Sequence, residues 1–232
     1  MRDCIHYGTC TICCCESTPP LFRKLSKTEF NELHSERKEV VFKAGEVIFK
    51  QGTALTHFAC FREGMAKVYY ERPEGSNMLV NIVGAGRICS GIGLYTDNIH
   101  HLTVQALTDV NLCLIATKDI EAVIEKSKVM AIEMITLTNQ NSIQFTHKLA
   151  NLTYKSMAGR VAEVLLYLQN EIYESERFTL NLSRQDLADL AAMTKESFIR
   201  TLKELKDAGI IKVNRNQVEI VKLNSLTKIS NS

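Results

Sequence analysis

The hydrophobic pattern of this chain changes its period once, near residue 117, and this change limits the folds that the chain can adopt. Between residues 40 and 115, short runs rich in Val, Ile, Tyr and Phe alternate with turn residues, often glycine. Residues 118–154 contain no Gly or Pro and carry apolar residues at helical spacing. The first pattern predicts a small all-β barrel or jelly roll, and the second predicts helices. We therefore expect an α+β chain.

Three local features refine this expectation. An amphipathic segment over residues 26–34 predicts a helix capped by Ser26, and Glu74-Gly75 between two β-type runs predicts a hairpin turn. From Val129 onwards, about twenty-five residues form one long predicted helix. We expect this helix to pack against its own copy, because it carries more apolar surface than one small barrel would bury. The alternative is that its apolar stripe only covers the barrel.

The C-terminal part has the pattern of a helix-turn-helix followed by a hairpin. Residues 157–174 predict an amphipathic helix, residues 175–179 a turn, and residues 182–211 two helices in close succession. Ser183, with Asp186 three residues later, is placed as the N-cap of the first helix, and Thr194 as the N-cap of the second. A hairpin is expected over residues 210–223, and the last ten residues are expected to be loose.

The second helix of this pair has one apolar side and one polar side. Phe198, Leu202 and Leu205 recur at i, i+4 and i+7 and predict its buried face. The side chains left exposed at its N-terminal end are Lys195, Glu196, Ser197, Ile199 and Arg200. The N-terminal end of a recognition helix is the part that enters the major groove of DNA.

The chemistry of these residues suits the reading of bases. Arg200 can donate two hydrogen bonds to guanine, and Glu196 can accept one from cytosine. Ser183, Arg184 and Gln185 begin the preceding helix, where side chains and backbone N–H groups can hold a phosphate. The alternative is that Glu196 and Arg200 form an ordinary surface ion pair one helical turn apart.

Composition excludes several classes of protein. The net charge of +2 is too small for a protein that coats nucleic acid, although residues 148–232 carry 13 Lys and Arg against 10 Asp and Glu, a surplus of +3. There is no apolar run of about 18 residues and no secretory signal, so we expect a cytoplasmic protein.

No phosphate-binding glycine loop, HExxH motif or nucleophile–base set indicates an enzyme. The alternative class is a sensor that signals to a partner protein without binding DNA.

The chain resembles the Crp/Fnr family, named after the cyclic-AMP receptor protein and the fumarate–nitrate reduction regulators. The resemblance covers residues 38–223, and its most specific parts are Glu196-x-x-x-Arg200, the GRVAEVLLYL helix from Gly159 and the glycine-spaced barrel. It implies a Cys-rich segment (1–25), a sensory jelly roll (26–117), helices that include a dimerisation helix (118–154) and a winged helix-turn-helix domain (155–232). The partners it implies are double-stranded DNA, a second copy of the chain and RNA polymerase.

By this resemblance, Glu196 and Arg200 would read a TGA-type core in each half of an inverted repeat. Ile199 departs from the Gly or Ser often found at its position, and its side chain can meet a thymine methyl group. The effector pocket would be formed by Ser90, Gly91, Ile92, Gly93, His100, His101, Phe145 and Thr146. The carboxylate and the guanidinium that hold cyclic AMP in other members are replaced by other residues here, so we expect poor binding of cyclic AMP. The alternatives for the two histidines are a pH-responsive pair and metal ligands, but we expect exposed loop residues.

Five of the eight cysteines lie within the first fifteen residues, and in a reducing compartment such a cluster indicates metal or redox chemistry. The oxygen-sensing branch of the family binds an iron–sulfur cluster, and the resemblance would assign this role to Cys4, Cys10, Cys13 and Cys113, with Cys14 and Cys15 as alternatives. The order C-x5-C-x2-C-C-C differs from the C-x2-C-x5-C order of that branch. A zinc site and a thiol switch stay open, and Cys113 can equally be a buried strand residue. Cys60 and Cys89 are expected to fill the core.

Overall fold

The computed structural model describes residues 19–34, 37–73, 77–89 and 92–232. The backbone divides into two compact units. The first unit contains the described residues up to Glu71 together with Ile82–Ile143, and the second contains Arg72–Asn81 and Gln144–Ser232. Within the described ranges, no helix combines the length and the apolar character needed to cross a bilayer.

The N-terminal part of the described chain is dominated by two four-stranded sheets. The strands are β1 (Lys38–Phe42), β2 (Val47–Phe49), β3 (His57–Glu63), β4 (Met65–Tyr70), β5 (Met78–Gly84), β6 (Ile88–Cys89), β7 (Thr103–Ala106) and β8 (Val110–Ala116). One sheet has the order β1-β8-β3-β6 and the other β2-β7-β4-β5. Two sheets of non-sequential strand order confirm the predicted jelly roll. The predicted turn at Glu74-Gly75 lies outside the described residues.

Each face of the first sheet contributes to a separate hydrophobic core. One core combines side chains of both sheets, among them Phe61 of β3, Val68 of β4 and Leu112 of β8. The other core takes the alternate residues of β3 and β8, such as Phe58 and Ile115, because successive side chains of a strand point to opposite faces. Most of its remaining members come from a short 3-10 turn (Pro20–Phe22) and from three helices: α1 (Lys27–His34), α2 (Thr117–Lys126) and the start of α3 (Lys128–Tyr154). Leu55 and Leu94 join this core from the loops of the barrel.

The helices of the first part follow the sequence expectations. Ser26 immediately precedes α1, and its backbone N–H donates to the Glu29 carboxylate at 2.7 Å. The long helix α3 runs unbroken for 27 residues, and Met130 is its one buried residue among those described. Its large apolar side chains at 132, 135, 143, 145, 149 and 152 are exposed in the single chain. The start of the apolar stripe covers the barrel, because Met130 and Met134 pack on its core, whereas the large apolar side chains further along α3 are not buried in the single chain.

The C-terminal part of the chain combines four helices with a small sheet. It contains α4 (Met157–Tyr167), a π-helical turn (Leu168–Tyr173), β9 (Arg177–Thr179), α5 (Arg184–Leu190), α6 (Lys195–Asp207), β10 (Ile211–Asn214), β11 (Gln217–Ile220) and α7 (Leu223–Ser230). The sheet order is β10-β11-β9. In the same unit, Lys148 Nζ donates to Val80 O at 2.6 Å, and the Tyr167 hydroxyl donates to Asn81 Oδ1 at 2.9 Å.

Two expectations for this part are wrong. Residues 175–179 do not form only a turn, because Arg177–Thr179 pairs with β11 as a third strand. The last ten residues are not loose, because they form α7, whose Leu226 is fully buried. A three-residue strand and a single short helix carry too few residues to show a period, and both are stabilised by their tertiary neighbours.

Gly159 allows the end of the chain to pack closely on α4. A Cβ atom at this position would lie 2.6 Å from Ser232 O and 3.1 Å from Ile229 O. In an unconstrained helix, Gly→Ala stabilises by about 1 kcal/mol. Here we expect Gly159→Ala to lower the free energy of unfolding of the second unit by about 1–3 kcal/mol, because overpacking outweighs helix propensity. Urea unfolding measures the change.

A second variant separates the two effects. Removing Ser232 in the Gly159→Ala background takes away the nearer of the two oxygens, so part of the lost stability should return. Wild-type or higher stability of Gly159→Ala itself would show that the chain end moves away at little cost.

Candidate nucleic-acid interface

Both helices of the predicted helix-turn-helix begin at the residues expected to cap them. Asp186 N donates to Ser183 Oγ at 3.1 Å, and Ser183 N donates to Asp186 Oδ2 at 3.0 Å, which completes a capping box. At the start of α6, Ser197 N donates to Thr194 Oγ1 at 3.2 Å. These bonds satisfy backbone donors that a helix start otherwise leaves without partners. The first turns of α5 and α6 are therefore defined locally by their own sequences.

The turn between α5 and α6 is held by backbone bonds and by one side chain from α4. Ala192 has a φ of 47°, a left-handed conformation that non-glycine residues seldom adopt. Met193 N donates to Ala188 O at 3.0 Å, and Arg160 Nη1 donates to Ala192 O at 2.9 Å. Ala188 is fully buried where the chain folds back. The direction of α6 therefore depends on contacts made within the folded unit.

The two sides of α6 are separated as predicted. Phe198 is 0% exposed, and Thr201, Leu202 and Leu205 are also buried. On the opposite side, Lys195, Glu196, Ile199 and Arg200 are exposed. Ser197 is half-buried, and Thr194 Oγ1 donates to its Oγ at 3.1 Å. The N-terminal end of α6 thus presents two cationic, one anionic and one apolar side chain to an approaching partner.

The alternative of an ordinary surface ion pair is not observed. Among the described residues, no salt bridge joins Glu196 to Arg200, although they stand one turn apart on the same helix. Their charged ends can therefore meet groups outside the chain without first breaking a bond to each other. Arginine and glutamate in such a position have the geometry for contact with base edges in a major groove.

The side chains that begin α5 are engaged within the unit. Ser183 Oγ donates to Asp186 Oδ2 at 2.6 Å, and Gln185 Nε2 donates to Asp189 Oδ1 at 2.8 Å. Arg184 Nη2 donates to Arg215 O at 2.7 Å, and partial burial lowers the pKa of Arg184. Arg184 therefore joins the start of α5 to the tip of the β10–β11 hairpin. Sequence reasoning missed this positioning role, since no periodic pattern relates residues so far apart.

The hairpin after α6 has the form of a wing. β10 and β11 are antiparallel, with Asn214 opposite Gln217, so Arg215 and Asn216 form the tip. Arg215 has a φ of 52°, and both tip residues are exposed. This tip lies within the predicted hairpin, and Arg215 adds an exposed cation near the start of α5.

We expect the cap of α6 to contribute measurably to stability. Thr194→Ala should lower the free energy of unfolding of the second unit by about 0.5–2 kcal/mol, because Ser197 N loses its acceptor. Thr194→Ser keeps an oxygen at the same place and should lose less. Thermal unfolding followed by circular dichroism measures both variants, and equal loss in the two would show that the Thr194 methyl group, not its hydroxyl, is what matters.

The residues expected to form the effector pocket lie in several different environments. Ile92 is 62% exposed, and Gly93 lies in a turn where a Cβ would meet Ile99 O at 2.2 Å. Ser90 and Gly91 lie outside the described residues. Phe145 and Thr146 are exposed residues of α3 and belong to the second unit.

His100 departs from its expected exposure. It is 7% exposed and stacks on Phe49 with ring centroids 4.4 Å apart, and burial lowers the pKa of its imidazole. His101 is half-exposed, and its Nε2 lies 3.0 Å from Asp97 Oδ1. The expectation that both histidines are exposed loop residues is wrong for His100, because its aromatic ring is more stable against Phe49 than in water.

The cysteines of the described residues lie in the barrel. Cys113 is 1% and Cys60 3% exposed in the core that also contains Leu21 and Phe22, while Cys89 is half-buried against the other core. The predicted filling of the core is confirmed for Cys60, whereas Cys89 only packs against the edge of a core. The N-terminal candidates Cys4, Cys10, Cys13, Cys14 and Cys15 lie outside the described residues. In the ranges that are described, no three His, Cys, Asp or Glu side chains are grouped so as to hold a metal ion.

A jelly roll, a long helix and a helix-turn-helix followed by a wing are together the elements of a DNA-binding transcription regulator. Comparison with known families gives two matches: the cyclic nucleotide-binding domain over residues 39–127 and the Crp-like helix-turn-helix domain over residues 159–229. The chain belongs to the Crp/Fnr family of DNA-binding transcription regulators.

Curated relatives and solved structures agree with this family. The chain is 24% identical to the nitrogen fixation regulation protein FixK of Bradyrhizobium diazoefficiens, over 90% of this chain and 88% of the relative. It is 21% identical to the cyclic AMP receptor protein of Thermus thermophilus, over 87% and 92%. The structure of FixK2 from Bradyrhizobium japonicum matches the fold with a TM-score of 0.77 at 19% identity, over 84% of this chain and 98% of that one.

Proposed function

We propose that the chain binds an inverted-repeat DNA site as a homodimer, with one α6 in the major groove of each half-site. The observation that carries this proposal is the exposed end of α6, where Glu196 and Arg200 stand on the side opposite the buried Phe198. Arg200 reads a guanine and Glu196 a cytosine of a TGA-type core, while Ile199, 44% exposed, meets a thymine methyl group.

The homodimer is supported by the exposed apolar side chains of α3. Ile135 is 60% and Leu149 62% exposed in the single chain, on a helix of 27 residues. An exposed apolar stripe of this length is costly in water, and packing against the same helix of a second copy removes it. A two-fold dimer presents two identical recognition helices, which matches a site with two-fold symmetry.

Band shifts and sedimentation test this proposal together. An inverted repeat of TGA cores with half-site centres about 10 base pairs apart should bind as a dimer, and adding about 5 base pairs should abolish tight binding, because the second helix then faces the wrong side of the DNA. Leu149→Asp should yield monomers that bind weakly. Equal affinity for a single half-site would contradict the dimer, and no shift with any such DNA would favour a sensor that signals to a protein partner.

We propose further that cyclic AMP is not the effector. Support comes from His100, which stands where the resemblance places the guanidinium that holds the phosphate in other members. It is a buried imidazole stacked on Phe49, and burial lowers its pKa and so disfavours its charged form. A buried phosphate without a matched cation is unfavourable. Isothermal titration should give no heat with cyclic AMP, and the Thermus thermophilus cyclic AMP receptor protein serves as the positive control. Micromolar binding to this chain would contradict the proposal.

The sensed signal is, in this proposal, the redox state of the cysteines, with an iron–sulfur cluster as the first candidate cofactor. The support is that Cys113 lies close to the start of the described chain. It shares a hydrophobic core with Leu21, and Leu21 follows Cys15 by only six residues in the sequence. A cluster of this kind supplies an oxidant-sensitive group held by thiolates, and zinc or a thiol switch are the competing possibilities. The test is to purify the protein anaerobically and to measure its absorption spectrum and its iron content. An iron-free protein that still binds DNA contradicts the iron–sulfur cluster.

A further inference from the structure

Cys60 and Cys113 lie directly opposite each other on neighbouring strands. In the antiparallel pair of β3 and β8, Cys60 is in register with Cys113, between the pairs Ala59–Leu114 and Phe61–Leu112. Residues in register on antiparallel strands point to the same face of the sheet. Both side chains belong to the same hydrophobic core, and both are thiols in this structure.

This register matches the requirements of a disulfide. Directly opposed residues of antiparallel strands have Cα atoms about 4.5–5.5 Å apart. Disulfides span Cα separations of about 4.4–6.8 Å, so the bond can form without a change of backbone pairing. We propose that Cys60 and Cys113 are a redox-active dithiol that closes to a cross-strand disulfide when a low-molecular-weight disulfide acts as the oxidant.

The reaction is two successive thiol–disulfide exchanges. One cysteine loses its proton and, as a thiolate, attacks the small disulfide; a mixed disulfide forms and one small thiolate leaves. The second cysteine, also deprotonated, attacks the sulfur of the first, so that the Cys60–Cys113 bond forms and the second small thiolate leaves. The protein loses two hydrogen atoms, and the small disulfide is reduced to two thiols.

The buried position of Cys60 and Cys113 makes the pair slow to react with an oxidant in solution. Cys60 is 3% and Cys113 1% exposed, and their core is completed by Leu21 and Phe22 of the segment that follows the Cys-rich run. A thiol in an apolar environment is held in its unreactive protonated form. Oxidation therefore requires the hydrophobic core around the two thiols to open. Once the bond has formed, Cys113 has no thiolate with which to hold a metal, so the dithiol would compete with any metal site that uses Cys113.

Cys89 provides a matched control within the same sheet. It lies on β6 opposite Ala59, the neighbour of Cys60, and therefore points to the other face of the sheet. It packs against the second core and is half-buried, so it is more accessible than either member of the pair. Accessibility alone would favour reaction at Cys89, whereas register favours the Cys60–Cys113 bond.

Peptide mapping of the oxidised full-length protein tests the proposal. The folded protein is incubated with hydroxyethyl disulfide, its remaining thiols are alkylated in denaturant, and it is cleaved with trypsin and an Asp-specific protease. The peptides 51–62 and 109–118 contain Cys60 and Cys113 as their single cysteines. Mass spectrometry should show these two peptides joined and two hydrogens lighter than their sum, and reduction should separate them.

Two variants and one treatment complete the test. Cys89→Ala should keep the link, while Cys113→Ala should leave peptide 51–62 unlinked, either alkylated or as the mixed disulfide with the small thiol. Oxidation in urea should give disulfides in many combinations among all eight cysteines, because unfolding removes the pairing of β3 with β8. Two outcomes for the wild-type protein would overturn the proposal. In the first, both peptides are recovered only as alkylated or mixed-disulfide species; in the second, they are linked to other cysteines as often as to each other. The result does not depend on DNA binding or on a cluster, so its failure is distinct from failure of the proposed function.

Discussion

Replacing Arg200 by alanine is expected to weaken binding to a matched half-site about 5–150-fold, the equivalent of about 1–3 kcal/mol for one lost bidentate base contact. Arg200 is exposed at the N-terminal end of α6 and is not paired with Glu196. Its loss should also relax the preference for one guanine, because no other donor of α6 occupies that place. Fluorescence anisotropy with the matched site and with sites changed at each core position measures both effects.

Two further variants separate base reading from charge. Arg200→Lys keeps the charge but loses the two-pronged donor geometry, so affinity should fall and discrimination at the guanine should fall with it. Lys206→Ala removes one charge from the exposed C-terminal end of the same helix and should leave discrimination unchanged. If Arg200→Ala instead weakens binding equally on every sequence and reduces the salt dependence, Arg200 contacts a phosphate.

Replacing Phe198 by alanine is expected to lower the free energy of unfolding of the second unit by about 3–5 kcal/mol, the range for removal of a fully buried phenylalanine. Phe198 is 0% exposed and anchors α6 beneath its exposed face. A loss of this size approaches the whole stability of a small domain. Urea unfolding by circular dichroism should show an early transition in this variant, and DNA affinity should fall because α6 is no longer held.

The neighbouring residue is the control for this prediction. Ile199 stands next to Phe198 but is 44% exposed, so Ile199→Ala should change stability by only about 0.5 kcal/mol while altering the preference at one thymine. Similar destabilisation by the two variants would mean that the two faces of α6 are wrongly assigned.

The elements that could be predicted are those whose signal lies within a few consecutive residues. Ser183 with Asp186, and Thr194 with Ser197, form caps whose partners are three positions apart, so the starts of α5 and α6 could be located from the sequence. The same holds for the buried side of α6, where Phe198, Leu202 and Leu205 repeat with the period of a helix. The exposed N-terminal end of α6 consists of the positions that fall between these buried residues.

Other features escaped sequence reasoning because their partners are distant along the chain. Arg184 reaches the backbone of Arg215, and Arg160 that of Ala192, across intervals that no local period links. His100 resembles a loop residue in sequence and precedes β7, yet it is buried because Phe49 of β2 lies against its ring.

The sequence by itself determined where α5 and α6 begin, which side of α6 is buried and which family the chain resembles, because helix caps and hydrophobic periods act between near neighbours. Only the tertiary structure decided that Arg177–Thr179 joins a sheet, that the chain end packs on α4 through Gly159, and that Cys60 faces Cys113. These three outcomes depend on strand register and on close approach of segments far apart in the chain, and both are set by how the whole core packs.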